Sequence, residues 1–214
     1  MRYIGVLAVL GLILAGAGTA SAVSVITFQQ GGPNDAVSGY GLWNGNNWEG
    51  ELKAVVTGLP GYANGTVIKT FCAEKLENIS YGSYNAVVNT QIITGTALPT
   101  GSEPLDAKTA WLYAGYLSGT LTVGNNAQGA LFQEAIWAIQ NDIPAPTLGS
   151  NIYYDAAMVS GASGLGNIRV LNLTDSNGGL AQDILVAVPE PVTMAGVFLG
   201  IGCLGGYLRK RRTA

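Results

Sequence analysis

The fold of this chain is organised around residues 129–140, which read GALFQEAIWAIQ. At helical spacing, one face of this stretch collects five side chains, namely Ala130, Gln133, Ile136, Trp137 and Gln140. Gln133 therefore lies among apolar neighbours on a face that should be buried. A buried carboxamide without partners costs about 1–3 kcal/mol. We expect a group opposite this helix either to hydrogen-bond Gln133 or to react with it.

Weakly alternating apolar segments lie on both sides of this helix, separated by residues typical of turns. They predict strands at 23–30, 52–58, 66–74 and 84–94, helices at 104–117, 127–141 and 151–160, and strands at 168–173 and 183–188. Ser102 or Glu103 is expected to begin the first helix, and the Gly- and Asn-rich stretch 31–50 to form turns or a short hairpin. The order predicts an α+β domain, a mainly antiparallel β domain with an inserted helical unit.

The two ends of the chain have the character of membrane-directed segments. Residues 1–22 combine a basic start, an apolar core and a final Ala-Ser-Ala, which predicts a secretory signal peptide. Residues 192–208 are apolar and uncharged, about the shortest length that spans a bilayer. Four cations that should stay cytoplasmic follow them, Arg209, Lys210, Arg211 and Arg212. We therefore expect a signal peptide at 1–22, an exported domain at 23–187, and a tail with a transmembrane helix at 188–214.

Charge and residue usage exclude several classes of function. All thirteen carboxylates but only five of the ten cations lie within residues 23–191, which gives that region a formal charge of −8. The region therefore lacks the excess of positive charge that nucleic-acid binding requires. The chain has no histidine, so neither a Ser-His-Asp or Cys-His catalytic set nor a Cys/His zinc site can form. The carboxylate pairs Glu49 with Glu51 and Glu74 with Glu77 are expected to be exposed, which argues against glycoside hydrolysis. We expect no enzyme, no catalytic residue, no metal and no cofactor.

Cys72 is the single cysteine of the exported region, because Cys203 lies in the membrane segment. Exported proteins usually pair their cysteines, so a lone one needs another explanation. If Cys72 attacked the side-chain amide of Gln133, ammonia would leave and an internal thioester would remain, able to acylate an amine or hydroxyl of a partner. The alternative is that Cys72 is an ordinary buried small residue and that Gln133 hydrogen-bonds locally.

Two sequence blocks resemble bacterial thioester domains. TFCAE at 70–74 is similar to the aromatic-Cys start of that family, and FQEAIW at 132–137 to its Gln-x-Ala-Ile-Trp block, although the family often has Thr or another small polar residue at the place of Phe132. The resemblance covers about 69–141. It implies a thioester between Cys72 and Gln133, with Phe71 and Trp137 packed beside the bond.

The C-terminal segment resembles the PEP-CTERM sorting signal of Gram-negative bacteria. That signal consists of Pro189, Glu190 and Pro191, the apolar helix and the basic cluster. The resemblance implies an exosortase as processing partner, cleavage near 189–191, and a membrane-anchored intermediate that ends at the cell surface or in the exopolysaccharide matrix. An ordinary single-pass anchor is the alternative.

These features together lead us to expect an exported surface or matrix protein that mediates adhesion or crosslinking, as in a biofilm. Its covalent partner would be an extracellular polysaccharide or another surface nucleophile, an amine or a hydroxyl. The competing expectation is a structural or carbohydrate-binding matrix component with no reactive bond, which would use the aromatic side chains Tyr40, Trp43 and Trp48.

Overall fold

The computed structural model describes residues 24–28, 39–43, 50–93 and 101–189, and for 39–43 the backbone alone. These residues form strands β1 (Ser24–Phe28), β2 (Gly39–Trp43), β3 (Gly50–Thr57), β4 (Thr66–Thr70), β5 (Gly82–Asn89), β6 (Gln91–Ile93) and β7 (Ser102–Pro104), helices α1 (Ala107–Ser118), α2 (Asn126–Ile139) and α3 (Ile152–Val159), and strands β8 (Ile168–Thr174) and β9 (Leu180–Ala187). The predicted signal peptide, transmembrane helix and basic cluster lie outside them. Within the described part of the chain, no helix has the length and hydropathy that a membrane span requires.

A seven-stranded antiparallel sheet forms the body of the domain. Its strands follow the order β2-β3-β1-β5-β8-β9, and β4 pairs with β3. Side chains alternate between the two faces, so that Ile26 of β1 lies beside Val56 on one neighbour and Tyr84 on the other, all three buried. The inward residues of this sheet and of the helices share one hydrophobic core.

The sheet curls until the continuation of β4 meets β9. The backbone N–H of Ala73 donates to the Asp183 carbonyl at 2.7 Å, and that of Leu185 donates to the Phe71 carbonyl at 3.0 Å. These two bonds bracket an isolated bridge between Cys72 and Ile184. Cys72 therefore lies where strands that are far apart in the sheet order come together.

The three helices form one unit between β7 and β8, as the sequence predicts, and the α+β class is confirmed. Helix α2 lies against β3 and α3. It is buried around most of its circumference rather than along one stripe, since nine of its fourteen residues are buried. A side chain on α2 is therefore enclosed by protein in most directions.

Several predicted boundaries are wrong, each for a local reason. The stretch 31–50, predicted to form turns or a short hairpin, contains strand β2, which pairs antiparallel with β3 as the hairpin alternative expects. The predicted strand 84–94 is two strands, because the Asn89 side chain accepts from the N–H groups of Thr90 and Gln91 and turns the chain. Pro104 ends β7 instead of starting α1, whose N-cap is Asp106. The predicted strand 66–74 ends at Thr70 as a regular element, and the chain turns after Ala73.

Candidate functional site

Both ends of α2 are fixed by side-chain and backbone capping. At its start, the Asn125 side chain accepts from the Gln128 N–H. At its end, Asn141 adopts a left-handed conformation with φ 65°, and the N–H of Asp142 donates back to the Trp137 carbonyl at 2.9 Å. This is a Schellman closure. The caps set which residues of α2 face the sheet.

Gln133 on α2 faces Cys72 and pairs with its backbone. The Cys72 N–H donates to Gln133 Oε1 at 2.9 Å, and Gln133 Nε2 donates to the Cys72 carbonyl at 2.8 Å. The bridge to Ile184 uses the backbone groups of the residues flanking Cys72, so the N–H and carbonyl of Cys72 itself point away from β9. The Gln133 carboxamide thus takes the place of a neighbouring strand. Both residues are completely buried.

A second pair of side chains holds the carbonyl of Glu74, two residues further on. Trp137 Nε1 donates to this oxygen at 2.9 Å, and Gln182 Nε2 donates to it from β9 at 2.7 Å. Trp137 lies one helical turn beyond Gln133, so the two side chains reach the same segment. Residues 72–74 are therefore hydrogen-bonded to two side chains of α2, Gln133 and Trp137, and to two residues of β9, Gln182 and Asp183.

The carboxyl group of Glu74 lies inside the turn that follows. Its Oε2 accepts from the N–H groups of Leu76 and Glu77, and its Oε1 accepts from the Asp183 N–H at 3.3 Å. Burial raises the pKa of Glu74 to about 7, against the opposing effect of these donors. Burial first, and the Glu74 charge second, raise the pKa of the Cys72 thiol well above its ordinary value. At neutral pH the Cys72 sulfur is a protonated thiol.

Lys75 and Asp142 fasten the same turn to the end of α2. The Lys75 N–H donates to Asp142 Oδ2 at 3.1 Å, and its Nζ lies 5.0 Å from the centre of the Trp137 ring. Burial, and next the neighbouring Glu103, raise the pKa of Asp142 to about 6. Two adjacent residues therefore contact Trp137: Lys75 lies over the face of its ring, and the Glu74 carbonyl accepts from its indole N–H.

Phe71 packs on the other side of this junction in an aromatic cluster. Its ring centre lies 4.6 Å from that of Phe132 and 5.2 Å from that of Tyr116. Phe132 is completely buried and packs against the rings of Phe71, Tyr116 and Tyr153. Tyr116 donates its hydroxyl to Glu51, which also lies 3.5 Å from Lys69 Nζ.

The expectation that the paired carboxylates are exposed is wrong for Glu51, which lies on β3, and for Glu74, which lies in the turn after residue 73. Both side chains face the interior. Glu51 is 1% exposed and Glu74 is 0% exposed. Tyr116 and Lys69 compensate the first, and backbone donors the second. Glu77 is half-buried, and Glu49 lies outside the described residues.

The remaining predicted residues stand as follows. Tyr40 and Trp43 lie in β2, of which only the backbone is described, so their predicted sugar contact stays a prediction. Pro189 is the last described residue of the chain. The residues that lie outside the description are Trp48, Glu190, Pro191, Arg209, Lys210, Arg211 and Arg212. Within the described ranges, no cluster of three or more carboxylate or cysteine ligands is arranged to hold a metal ion.

Sequence reasoning missed Gln182 and Asp183, two buried polar residues on β9. Asp183 accepts from the N–H groups of Ile93 and Leu173 and from the side chain of Asn172, and burial raises its pKa to about 7. The available signal was their place at the start of an apolar run, ILVAV at 184–188. Polar residues in a strand that is buried on both faces need partners, in the same way as Gln133 on its helix.

Comparison of the chain with models of protein families, with curated proteins and with solved structures finds no match.

Proposed function

We propose that this is an exported surface or matrix protein in which Cys72 and Gln133 form an internal thioester that tethers the protein covalently to a partner. The observation that carries the proposal is the reciprocal hydrogen bonding of the Gln133 carboxamide with the backbone of Cys72. It holds the electrophile against the residue that bears the nucleophile, in an interior from which both are shielded from water.

The bond-forming step balances without an added reagent. Cys72 Sγ bonds to Gln133 Cδ, the C–N bond of the carboxamide breaks, and the thiol proton leaves with the nitrogen as ammonia. The oxygen that carries negative charge in the tetrahedral intermediate is Gln133 Oε1. The Cys72 N–H already donates to that atom and would stabilise the charge as an oxyanion-hole donor does.

The stored thioester would then react once with a partner. An amine attacks Gln133 Cδ and forms an amide, or a hydroxyl forms an ester, and the Cys72 thiol is released with the proton of the nucleophile. Gln133 is consumed in this sequence, so the protein is a single-use crosslinker and not an enzyme. The partner would be an amine or hydroxyl of an extracellular polymer or of another surface.

The resemblance of the C-terminal segment to a sorting signal supports the location of this chemistry. In this proposal an exosortase processes the tail, and the domain remains at the cell surface or in the exopolysaccharide matrix. An acidic domain without a nucleic-acid footprint is compatible with such a matrix.

Intact mass spectrometry of the purified protein tests the thioester. In a Cys203→Ser background, we expect a mass lower than the sequence mass by one ammonia, and the full sequence mass in Cys72→Ala and in Gln133→Ala. Gln140→Ala is the matched control, since Gln140 is a buried glutamine near the end of the same helix, and it should retain the loss of ammonia. Incubation with methylamine should add one methylamine to the wild type and nothing to Cys72→Ala.

The full sequence mass in the wild type, together with one titratable thiol at Cys72, would overturn the covalent proposal. The domain would then be a non-covalent matrix component in which Gln133 serves only as a hydrogen-bonding partner of the strand.

A further inference from the structure

The last described residues of the chain, 187–189, are held against the body of the domain. The Tyr62 hydroxyl donates to the Ala187 carbonyl, and the Val188 N–H donates to the Asn167 carbonyl at 2.8 Å. The Pro189 ring packs on Gly61 so closely that a Cβ placed there would lie 2.6 Å from Pro189 Cδ. We call the group formed by Gly61, Tyr62 and Asn167 the junction seat.

The turn that supplies Gly61 and Tyr62 is itself well anchored. Leu59 is buried beneath it, and the Asn64 side chain accepts from the Gly58 N–H at 2.8 Å. Gly61 has φ +83°, a conformation that favours glycine, and it also faces Pro189. The seat is therefore a fixed surface.

Pro189 marks the point at which the chain can leave β9. The Val188 bond to Asn167 extends the pairing of β8 with β9 by one residue, and proline has no N–H with which to continue it. No free linker thus separates the strand from Pro189, the first residue of the sorting motif.

We infer that the junction seat holds the backbone of residues 187–189 to the folded domain, with Pro189 itself exposed, so that the sorting peptidase cleaves a bond on the C-terminal side of Pro189. The inference rests on the sorting part of the proposed function. Peptide bonds are cleaved most readily where the backbone is exposed and free of hydrogen bonds. To place the bond before Pro189 in a cleft, a peptidase would have to open the Tyr62 and Asn167 contacts first.

The reaction breaks one peptide bond. The acyl group passes to water or to an amine acceptor, and the released amine stays on the membrane fragment. The mature protein accordingly keeps Pro189 on Gly61 and ends at Pro189 or at a residue beyond it.

The test uses the full chain expressed in a bacterium that carries an exosortase, with the C-terminal peptide of the processed product identified by mass spectrometry. We expect every product to retain Pro189. A product that ends at Val188 or earlier would overturn the inference while leaving the sorting proposal intact. An uncleaved chain would overturn the sorting proposal and the inference together.

A pair of glycine variants tests the seat itself. Gly61→Ala and Gly65→Ala both introduce a side chain at a left-handed position, with φ +83° and φ +85°, but nothing lies within 4 Å of a Cβ at Gly65. Mass spectrometry of the processed C-terminal peptide should find products that end at Val188 or earlier in Gly61→Ala, because an open seat makes those bonds accessible, and only products that retain Pro189 in Gly65→Ala. Gly61→Ala products that all retain Pro189 would overturn the role of the seat in placing the cleaved bond.

Tyr62→Phe provides a second measurement that needs no change of backbone strain. Hydrogen exchange of the Val188 amide in the full chain should become several-fold faster, while that of the Leu185 amide, which is bonded to Phe71 in the same strand, should stay unchanged. Unaltered exchange at Val188 would contradict the seat.

Discussion

At the scale of single residues, Gln133 has one observed role and one proposed role, and the two differ in what they require. As a hydrogen-bonding group it satisfies both backbone groups of Cys72, which no strand reaches. As a thioester it would lose Nε2 and with it the bond to the Cys72 carbonyl. The crosslink therefore has to offset an unpaired buried carbonyl, which costs about 1–3 kcal/mol.

The first of these roles can be measured alone in the Cys72→Ala background, in which no thioester forms. There, Gln133→Leu leaves a buried N–H and a buried carbonyl unpaired, and we expect the free energy of unfolding to fall by about 2–4 kcal/mol. The measurement is urea denaturation followed by tryptophan fluorescence. Gln128→Leu, which loses one exposed bond to Gly124, should cost less than about 1 kcal/mol. Similar losses for the two variants would contradict the role of Gln133 as a substitute for a strand.

The sequence predicted the need of Gln133 for a partner, because an amide on an apolar helical face is an anomaly at short range. It did not predict that Glu51 and Glu74 are buried. Their partners are Tyr116 and Lys69 in one case and Asp183 and turn N–H groups in the other, and most of these are distant in sequence. The compensation of a buried charge can be seen only when such segments meet.

At the scale of elements, α2 carries both Gln133 and Trp137, which contact the segment 72–74. The closure at the C-terminal end of α2 fixes the position of these two side chains along the helix axis. Local signals predicted the three helices, since caps and spacing lie within a few residues of one another. They did not predict the end of β4 or the separation of β5 from β6. Those boundaries depend on side chains that compete with strand pairing, Glu74 and Asn89.

Asn141 offers a test of this closure, because its φ of 65° suits glycine or asparagine. We expect Asn141→Ala to lower the free energy of unfolding by about 1 kcal/mol and Asn141→Gly to change it by less than about 0.5 kcal/mol. Thermal denaturation of the two variants side by side gives the difference. A more stable alanine variant would show that the left-handed turn does not form.

At the scale of the whole molecule, folding removes several carboxyl groups from water, since Glu74 and Asp183 are buried and Asp142 is half-buried. Glu74, Asp142 and Asp183 have pKa values raised to about 7, 6 and 7 by burial. In an unfolded chain these groups titrate near about 4. Between those limits the folded protein binds more protons than the unfolded one, so its stability decreases as the pH rises.

We therefore expect the melting temperature of the domain to fall as the pH is raised from 5 to 8. The decrease should be smaller in Glu74→Gln combined with Asp183→Asn, whatever the absolute stability of that variant. Differential scanning calorimetry at several pH values measures both slopes. A melting temperature that rises over this interval in the wild type would mean that these carboxyls are not desolvated as the structure describes.

The curl that brings β9 between β8 and residues 71–73 has a mechanical consequence. β9 is the strand that leads to Pro189 and the tail, and it is paired along both of its edges. A pull on the tail loads both rows of backbone hydrogen bonds in shear, whereas an edge strand would peel away one bond at a time. Resistance to forced unfolding depends on the unfolding rate, which such a geometry lowers. A surface protein held at its C-terminal end and tethered near Cys72 would carry tension through a strand that is bonded on both of its edges.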